Sequence, residues 1–328
     1  VALALGDHEG ARRQFETAIE ISQRTGRRDD EADHLSSLAD VMLAGGEYEA
    51  ADEALSRALD LDIQTGNRLG EAGVRHSMGL LMLVRGDYVA AVRELQDALG
   101  IYQSMGRVAD AVSAQADLAR ARAATGDVRR GTLELREAGR LAESGQLGPA
   151  IRADLALASG DFALLLNEYD EAQTEYREAE RLYRGQTDYA GIAASLHGQA
   201  YVHLYQTRFA DAVAALDQAL RSQQSLGDPR AAALTRLLLA DVHLEAGETE
   251  ESRLLAADAS DVLTALGDPV GQAAAMAVIA QIEMKASEYE SADSLYRKAL
   301  ALVAGTDSPG IAWRLHSGRA GTLAARGQ

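Results

Sequence analysis

The sequence lacks or is poor in several residue types, and each shortage excludes a class of site or partner. It has no cysteine, which excludes disulfide bonds, thiolate metal sites and a cysteine nucleophile. It has only 4 prolines among 328 residues, which excludes a proline-rich linker, and aromatic residues make up just 5%. The apolar runs are short, and the longest, such as 78–84, cannot span a bilayer.

Positive charge is also scarce. The chain carries 32 basic against 50 acidic side chains, a formal net charge of −18 that repels phosphate groups. We therefore expect neither nucleic acid nor a membrane as a partner. No signal-peptide pattern opens the chain, so we predict a cytoplasmic location. Because residue 1 is Val rather than Met, the alternative that the chain is a fragment of a longer protein stays open.

A forty-residue repeat organises the whole sequence. Six-residue strings of related composition recur at this period, with one step of forty-one between Gly126 and Asn167. We call the first residue of each string the marker. The markers are Gly6, Gly46, Gly86, Gly126, Asn167, Thr207, Gly247 and Ser287, and a ninth falls at Gly327.

Other positions keep the same period, and their spacing predicts helices. Five residues after each marker the side chain is small, nine after it is large and apolar in all copies but one, and twelve after it is alanine. These three positions share one face of a helix, so small residues there let neighbouring helices approach closely. Glycines twenty residues after a marker, such as Gly66, predict left-handed helix ends, and the Asp-Pro pair 228–229 predicts a helix start.

The repeat therefore predicts an all-α fold of stacked antiparallel helix pairs in a single array over 1–328. Because one pair cannot bury its apolar stripe alone, stability must come from stacking on neighbours. We expect a leading half repeat at 1–26, a trailing half repeat at 309–328 and seven pairs at 29–66, 69–106, 108–146, 149–187, 189–227, 229–267 and 269–307.

These residues resemble the tetratricopeptide repeat (TPR). The resemblance rests on a small residue in the first helix, then tyrosine after the turn (Tyr48, Tyr88, Tyr169 and Tyr289), then alanine, a bulky residue and a second alanine. It covers the whole chain, although the period of forty is longer than the commonest form of thirty-four. The family implies an α-solenoid wound as a right-handed superhelix, whose first helices line a concave groove that binds peptides or protein segments.

A narrower resemblance lies at 308–328. This segment looks like the last repeats of bacterial proteins in which a TPR array precedes a CHAT domain, a caspase-like cysteine peptidase, and similar arrays occur in STAND-type ATPase regulators. The resemblance implies an attached effector domain. Because this chain has no cysteine, a peptidase domain would have to lie outside it.

No motif in the chain predicts catalysis, a cofactor or a metal. The sequence has no phosphate-binding glycine loop and no helical zinc-peptidase signature. His203 and His243 occupy equivalent positions in adjacent repeats, so a shared metal is one interpretation and partly buried imidazoles are the other. An acidic segment at 241–261 and an arginine-rich segment at 117–152 are candidate docking surfaces, respectively for a basic and an acidic partner. We predict that the chain is not an enzyme.

The groove is the predicted functional site. If first helices line it, the residues ten and six before each marker point into it. Unlike the core positions they differ from repeat to repeat, as recognition of one non-repetitive ligand requires, although unconstrained surface positions vary as freely. The predicted groove residues are Asp40, His76, Leu80, Arg120, Asp161, His197, Tyr201, Asp241 and Gln281.

The leading hypothesis is a scaffold module that binds a protein or peptide and forms a regulatory part of a larger protein. The alternative is the sensor or autoinhibitory arm of a CHAT-type peptidase. Self-association is a third possibility, since repeat ends without capping helices expose apolar surface and can stack end to end.

Overall fold

A computed structural model describes residues 8–145, 147–306 and 309–327, and all the regular elements in these ranges are α-helices. The first marker, Gly6, and the helix start expected at Ser308 lie outside the described residues. In chain order the helices are α1 His8–Thr25, α2 Arg28–Gly45, α3 Tyr48–Thr65, α4 Arg68–Arg85, α5 Tyr88–Ser104, α6 Val108–Ala124, α7 Val128–Ser144, α8 Pro149–Leu165, α9 Tyr169–Gln186, α10 Tyr189–Tyr205, α11 Phe209–Leu226, α12 Pro229–Glu245, α13 Thr249–Ala265, α14 Pro269–Lys285, α15 Tyr289–Val303 and α16 Pro309–Ala325.

The markers are the turns at which even-numbered helices end. Each described marker has a positive φ, and the three that are not glycine adopt it too, with φ of 60° at Asn167, 56° at Thr207 and 65° at Ser287. A left-handed backbone costs a non-glycine residue roughly 1–2 kcal/mol, so the repeating feature is the turn geometry rather than the glycine itself. The predicted left-handed helix ends are confirmed at Gly26, Gly66, Gly106, Gly227 and Gly267.

The predicted stripe of the odd-numbered helices forms the core. In α3 the side chains of Ala51, Leu55 and Ala58 are fully buried, and the equivalent residues of α5, α9, α11, α13 and α15 are buried as well. Burying a leucine in this way contributes roughly 1.5–3 kcal/mol. The α7 stripe is less well enclosed, because Leu135 there is only half-buried.

The large side chain of this stripe packs against small residues of the neighbouring helix. A Cβ atom added at Gly79 of α4 would lie 2.6 Å from Cγ of Leu95 in α5, and one added at Gly198 of α10 would lie 2.3 Å from Cε1 of Tyr176 in α9. Helix backbones therefore approach closely where the sequence places glycine.

The chain divides into two compact units, Val1–Leu166 and Asn167–Gln328. Within each unit most connections are two or three residues long, so consecutive helices pack antiparallel. We call the even-numbered helices first helices and the surface that they form in each unit the first-helix face. In the first unit α2, α4, α6 and α8 stack in that order, and in the second unit α12, α14 and α16 do so.

This architecture confirms the predicted all-α solenoid of stacked antiparallel helix pairs. Among the described residues, no helix is both long and apolar enough to cross a membrane.

Candidate functional site

The predicted groove residues all lie on first helices, where none of them is fully buried. Asp40, Arg120, Asp161 and Tyr201 are exposed, and His76, Leu80, His197, Asp241 and Gln281 are half-buried. Other residues ten before a marker are buried in the core, as Ala116, Leu237 and Ala277 are. Within each unit, neighbouring first helices bring some of the predicted residues together.

In the first unit an aspartate joins two predicted groove residues. Asp117 of α6 accepts hydrogen bonds from His76 Nε2 of α4 at 2.9 Å and from Arg120 Nη1 of its own helix at 3.0 Å. The His76 ring also meets Tyr102 edge-on, with 6.3 Å between ring centroids. Desolvation raises the pKa of Asp40 on α2, and the nearby His76 acts in the opposite direction. The polar groups of this cluster therefore satisfy one another within the protein.

In the second unit the face carries an aromatic stack. Tyr201 and Tyr205 of α10 lie nearly parallel with ring centroids 6.5 Å apart, and Tyr205 stacks in turn on Tyr169 of α9 at 6.2 Å. Tyr201 is 38% exposed and Tyr205 is 59% exposed. Tyrosine presents a large, rigid surface at low entropic cost, which suits it to contacts with a partner.

Beside this stack lies a carboxylate that is only partly satisfied. Asp241 of α12 has one oxygen, Oδ1, that is buried without a hydrogen-bond partner among the described residues. Its other oxygen, Oδ2, is 3.9 Å from Nη2 of Arg314 on α16, a long ion pair. Burial raises the pKa of Asp241 to about 6, Arg314 opposes the rise and Glu245 adds to it. Asp241 also raises the pKa of the half-enclosed Tyr201 hydroxyl, after the larger effect of burial, so the two groups are neighbours.

The other predicted residues are more scattered. His197 Nε2 lies 2.9 Å from Oγ1 of the buried Thr235 on α12, which donates to Gln223 Oε1 at 2.7 Å. Desolvation lowers the pKa of His197, so burial favours its neutral imidazole. Leu80, Asp161 and Gln281 lie on α4, α8 and α14, outside both clusters.

His203 and His243 differ in environment despite their equivalent positions. His203 is buried and its pKa is lowered by desolvation, whereas His243 bonds through Nδ1 to Glu248. Across the described ranges, no three His, Cys, Asp or Glu side chains form a group that could hold a metal ion.

Four of the seven arginines of the arginine-rich segment form ion pairs with its own carboxylates. Arg120 pairs with Asp117, Arg122 with Glu134, Arg130 with Asp127 and Arg140 with Glu137. Its positive charge is therefore less available to an acidic partner than the sequence suggests.

Sequence reasoning missed the residues that connect the predicted ones, namely Asp117, Tyr205, Thr235 and Arg314. Asp117 stands nine residues before its marker, where other repeats have small or apolar residues such as Ser37, Gly198 and Val278. That departure was a usable signal. Arg314 is two repeats away from Asp241, and the repeat alone does not indicate that the long side chain reaches back to it.

Comparisons with known proteins agree with this architecture. Residues 1–64 match the family model of the tetratricopeptide repeat. No curated protein sequence matches the chain.

Several solved structures share the fold. One is a signal transduction ATPase with numerous domains (STAND) from Pyrococcus horikoshii that has a TPR sensor. It is 13% identical with a TM-score of 0.64, and the match covers 97% of this chain and 47% of that one. A Rap protein in complex with competence and sporulation factor is 15% identical, with a TM-score of 0.63 and coverage of 93% and 86%. The apo quorum sensor NprR from B. thuringiensis is 13% identical, with a TM-score of 0.64 and coverage of 89% and 82%. This chain thus spans about half the length of the STAND protein.

Proposed function

We propose that this chain, which has the fold of a tetratricopeptide-repeat solenoid, is a scaffold that binds a protein or peptide segment on its first-helix faces. The observation that carries the proposal is the surface of the second unit. There two exposed stacked tyrosines, Tyr201 and Tyr205, lie beside Asp241, whose Oδ1 has no partner among the described residues.

Three properties of this surface suit a protein ligand. Tyrosines at interfaces often carry much of the binding energy, and Tyr201 and Tyr205 are already held by stacking, so little freedom is lost on binding. The carboxylate of Asp241 has unsatisfied hydrogen-bonding capacity, so a ligand donor or cation that reaches it would be bound favourably. Outside this cluster, Gln281 of α14, the helix that packs on α12, offers an amide that can both donate and accept hydrogen bonds. The similar Rap protein is in complex with competence and sporulation factor, which supports binding of a separate factor by this chain.

The test is to isolate a partner by affinity capture with the full chain and then to measure its dissociation constant by calorimetry. We expect Tyr201→Ala to weaken binding about thirtyfold, as loss of a hot-spot residue of roughly 2 kcal/mol does. Tyr88→Ala is the matched control, because Tyr88 is also 38% exposed but opens α5, a second helix. Its affinity should remain that of the unmodified chain.

Charge reversal tests the wider first-helix face. Arg120→Glu in the first unit or Asp241→Arg in the second should weaken the complex while leaving the helical circular dichroism spectrum unchanged. If Tyr201→Ala and both reversals bind like the unmodified chain, the groove assignment is wrong.

A second candidate function is a sensor or autoinhibitory arm within a larger regulator. The match to about half of a STAND protein that has a TPR sensor favours this candidate. A CHAT-type peptidase as the effector stays a prediction from 308–328 alone. Sequencing the reading frame on both sides of this chain tests both: a nucleotide-binding ATPase domain on either side supports the STAND type, a segment with His and Cys motifs after Gln328 supports the peptidase, and a stop codon directly after Gln328 removes a C-terminal effector.

A further inference from the structure

A pocket in the first unit is lined by none of the nine predicted groove residues, although it includes Ser36, ten residues before its marker, and Tyr102, which the His76 ring contacts. It has a volume of about 500 Å³ and is bounded by α2, α4 and α6 together with the ends of α3 and α5. This volume is within the range of small-molecule sites, roughly 300–1,000 Å³.

The pocket contains a buried carboxylate with one open oxygen. Asp62, near the end of α3, is only 1% exposed. Its Oδ1 accepts a hydrogen bond from Asn67 Nδ2 at 2.8 Å, while Oδ2 has no partner among the described residues. A buried oxygen without a hydrogen-bond partner destabilises the fold, so a group that donates to it would be bound favourably.

Two glycines of α4 shape the surroundings of this carboxylate. A Cβ atom added at Gly70 would lie 2.5 Å from Asp62 Oδ1 and 2.3 Å from Asn67 Nδ2, so no side chain fits there. At Gly73, one turn further along α4, an added Cβ would come no closer than 3.9 Å to another group, the Tyr102 hydroxyl. The first glycine allows the contact to Asp62, and the second leaves the pocket open.

The charge around the pocket is negative. Among the described residues that line the pocket, Arg107 alone is basic. It donates from Nε to Asp110 Oδ2 at 2.7 Å, which leaves the lining carboxylates of Asp33 and Asp62 without a lining cation. Burial raises the pKa of Asp62 to about 6. The hydrogen bond from Asn67 opposes the rise, whereas Asp33, Asp29 and Glu71 add to it. A bound cation would relieve this repulsion.

The repeat shows that a carboxylate is not needed at this position for folding. Asp62 stands sixteen residues after its marker, and the equivalent residues of the other seven repeats are all uncharged. They are Ser22, Tyr102, Ala142, Tyr183, Gln223, Leu263 and Val303. Asp62 is therefore a costly exception within a regular core position, as expected of a residue retained for binding.

We propose that this pocket binds a primary alkylammonium group whose nitrogen donates to Oδ2 of Asp62. An ammonium suits the geometry better than a guanidinium, because a guanidinium pairs best with both oxygens of a carboxylate and Asn67 already occupies one of them. The proposal goes beyond the scaffold function, since it concerns other residues and its test requires no protein partner.

The test is a titration of the full chain, labelled with ¹⁵N at glycine, at about pH 8, where the carboxylate is ionised and an alkylamine is protonated. The probes are Nα-acetyl-lysine methylamide, which presents the ammonium as a peptide does, and 1,5-diaminopentane, which presents it as a free amine. We expect saturable shifts of the Gly70 and Gly73 amide signals with at least one probe, and the tighter probe identifies the source of the ammonium. The Nε-acetylated lysine derivative should cause no shift.

Three variants test whether Asp62 and the space beside Gly73 are responsible for binding the probe. Asp62→Asn should weaken the better probe at least tenfold, in line with loss of a charged hydrogen-bond acceptor. Asp60→Asn, the same change on the exposed face of α3, controls for loss of one negative charge and should bind normally. Gly73→Leu fills the pocket without changing Asp62 and should also abolish the shifts.

Three outcomes would overturn the proposal. The first is the absence of saturable shifts with both ammonium probes, and the second is equal binding by Asp62→Asn and Asp60→Asn. The third is binding of Nα-acetyl-arginine methylamide as tightly as the lysine probe, which would contradict the choice of ammonium. Should Asp62→Asn not fold, unchanged binding by Gly73→Leu would be equally decisive.

Discussion

In each unit an aspartate lies on the first-helix face, but the two aspartates differ in how far the protein itself satisfies them. On the first-helix face of the first unit, Asp117 is satisfied by His76 and Arg120 at 2.9 and 3.0 Å. On that of the second unit, Asp241 has an open oxygen and only a 3.9 Å contact to Arg314. A carboxylate on a first helix can therefore either stabilise the unit or remain available to a ligand, depending on what the neighbouring helices supply.

The repeats also differ in the large core side chain nine residues after the marker. It is the flexible Leu55 or Leu95 in two repeats of the first unit and a tyrosine, Tyr176 or Tyr296, in two repeats of the second unit. A rigid ring needs a matching space on the next helix, and Gly198 and Gly318 provide it, each nine residues before the following marker. The two tyrosine repeats thus depend more on exact fit, and the repeats of Leu55 and Leu95 more on adaptable packing.

The largest expected loss of stability follows from filling the space that Gly198 leaves for the Tyr176 ring. Gly198→Ala places a Cβ within 2.3–2.6 Å of Tyr176 ring atoms, and a ring in a close-packed core cannot yield easily. We expect a loss of about 2–3 kcal/mol in the free energy of unfolding, measured by urea denaturation followed by circular dichroism.

Two other glycines calibrate this prediction. Gly79→Ala meets the more adaptable Leu95 and should cost less, about 1–2 kcal/mol. Gly139→Ala, in α7 with no other group within 4 Å, should be neutral or stabilising by up to about 1 kcal/mol. An equal loss for Gly198→Ala and Gly79→Ala would contradict the contrast between rigid and adaptable packing.

The repeat made most of the fold predictable from the sequence. Ala51, Leu55 and Ala58 are buried because their spacing places them on one helical stripe, and a spacing of forty residues fixes where each turn must fall. Even the turns at Thr207 and Ser287 were located correctly, although neither residue favours a left-handed backbone.

The site was predictable only in part, because which side chains bond to each other depends on their length and orientation and not on the forty-residue spacing. The rule that selected His76 and Arg120 could not indicate that Asp117 lies between them. Asp62 shows that a signal was nevertheless present. A carboxylate interrupts a position that is uncharged in every other repeat, and this is the kind of departure that marks a functional residue in a repeating sequence.

The next effect in size concerns the unsatisfied carboxylate of the second unit. The pKa of Asp241, about 6 in the folded chain, lies above its ordinary value of 3.8, so ionisation destabilises the fold. The free energy of unfolding attributable to this group therefore falls as the pH rises from about 4 to 6 and stays low above that. Asp241→Asn cannot ionise and should be more stable than the unmodified chain by about 1 kcal/mol at pH 8, a figure reduced for partial exposure.

The pH dependence of this gain distinguishes it from a general effect of the substitution. The difference between Asp241→Asn and the unmodified chain should shrink as the pH falls from about 6 to 4 and vanish near about pH 3, below the ordinary carboxyl pKa of 3.8, where the carboxyl is largely protonated whether the chain is folded or unfolded. The facing groups that set the titration are Arg314, Glu245, Tyr201 and Tyr296. A gain of the same size at about pH 3 and pH 8 would show that burial of the charge is not its cause.

The smallest expected change in stability comes from replacing the aspartate of the first unit by asparagine. This change is also the sharpest test of the comparison between the two units. Asp117→Asn weakens the contacts to His76 and Arg120, which are partly exposed, so we expect a loss of about 0.5–1 kcal/mol at pH 8. The loss should shrink in concentrated salt, which screens the pair with Arg120. Two aspartates on equivalent faces should thus respond to one chemical change with opposite signs, because one has its partners in the protein and the other does not. If both variants shift the unfolding midpoint in the same direction, the distinction between a satisfied first unit and a second unit open to a ligand is wrong.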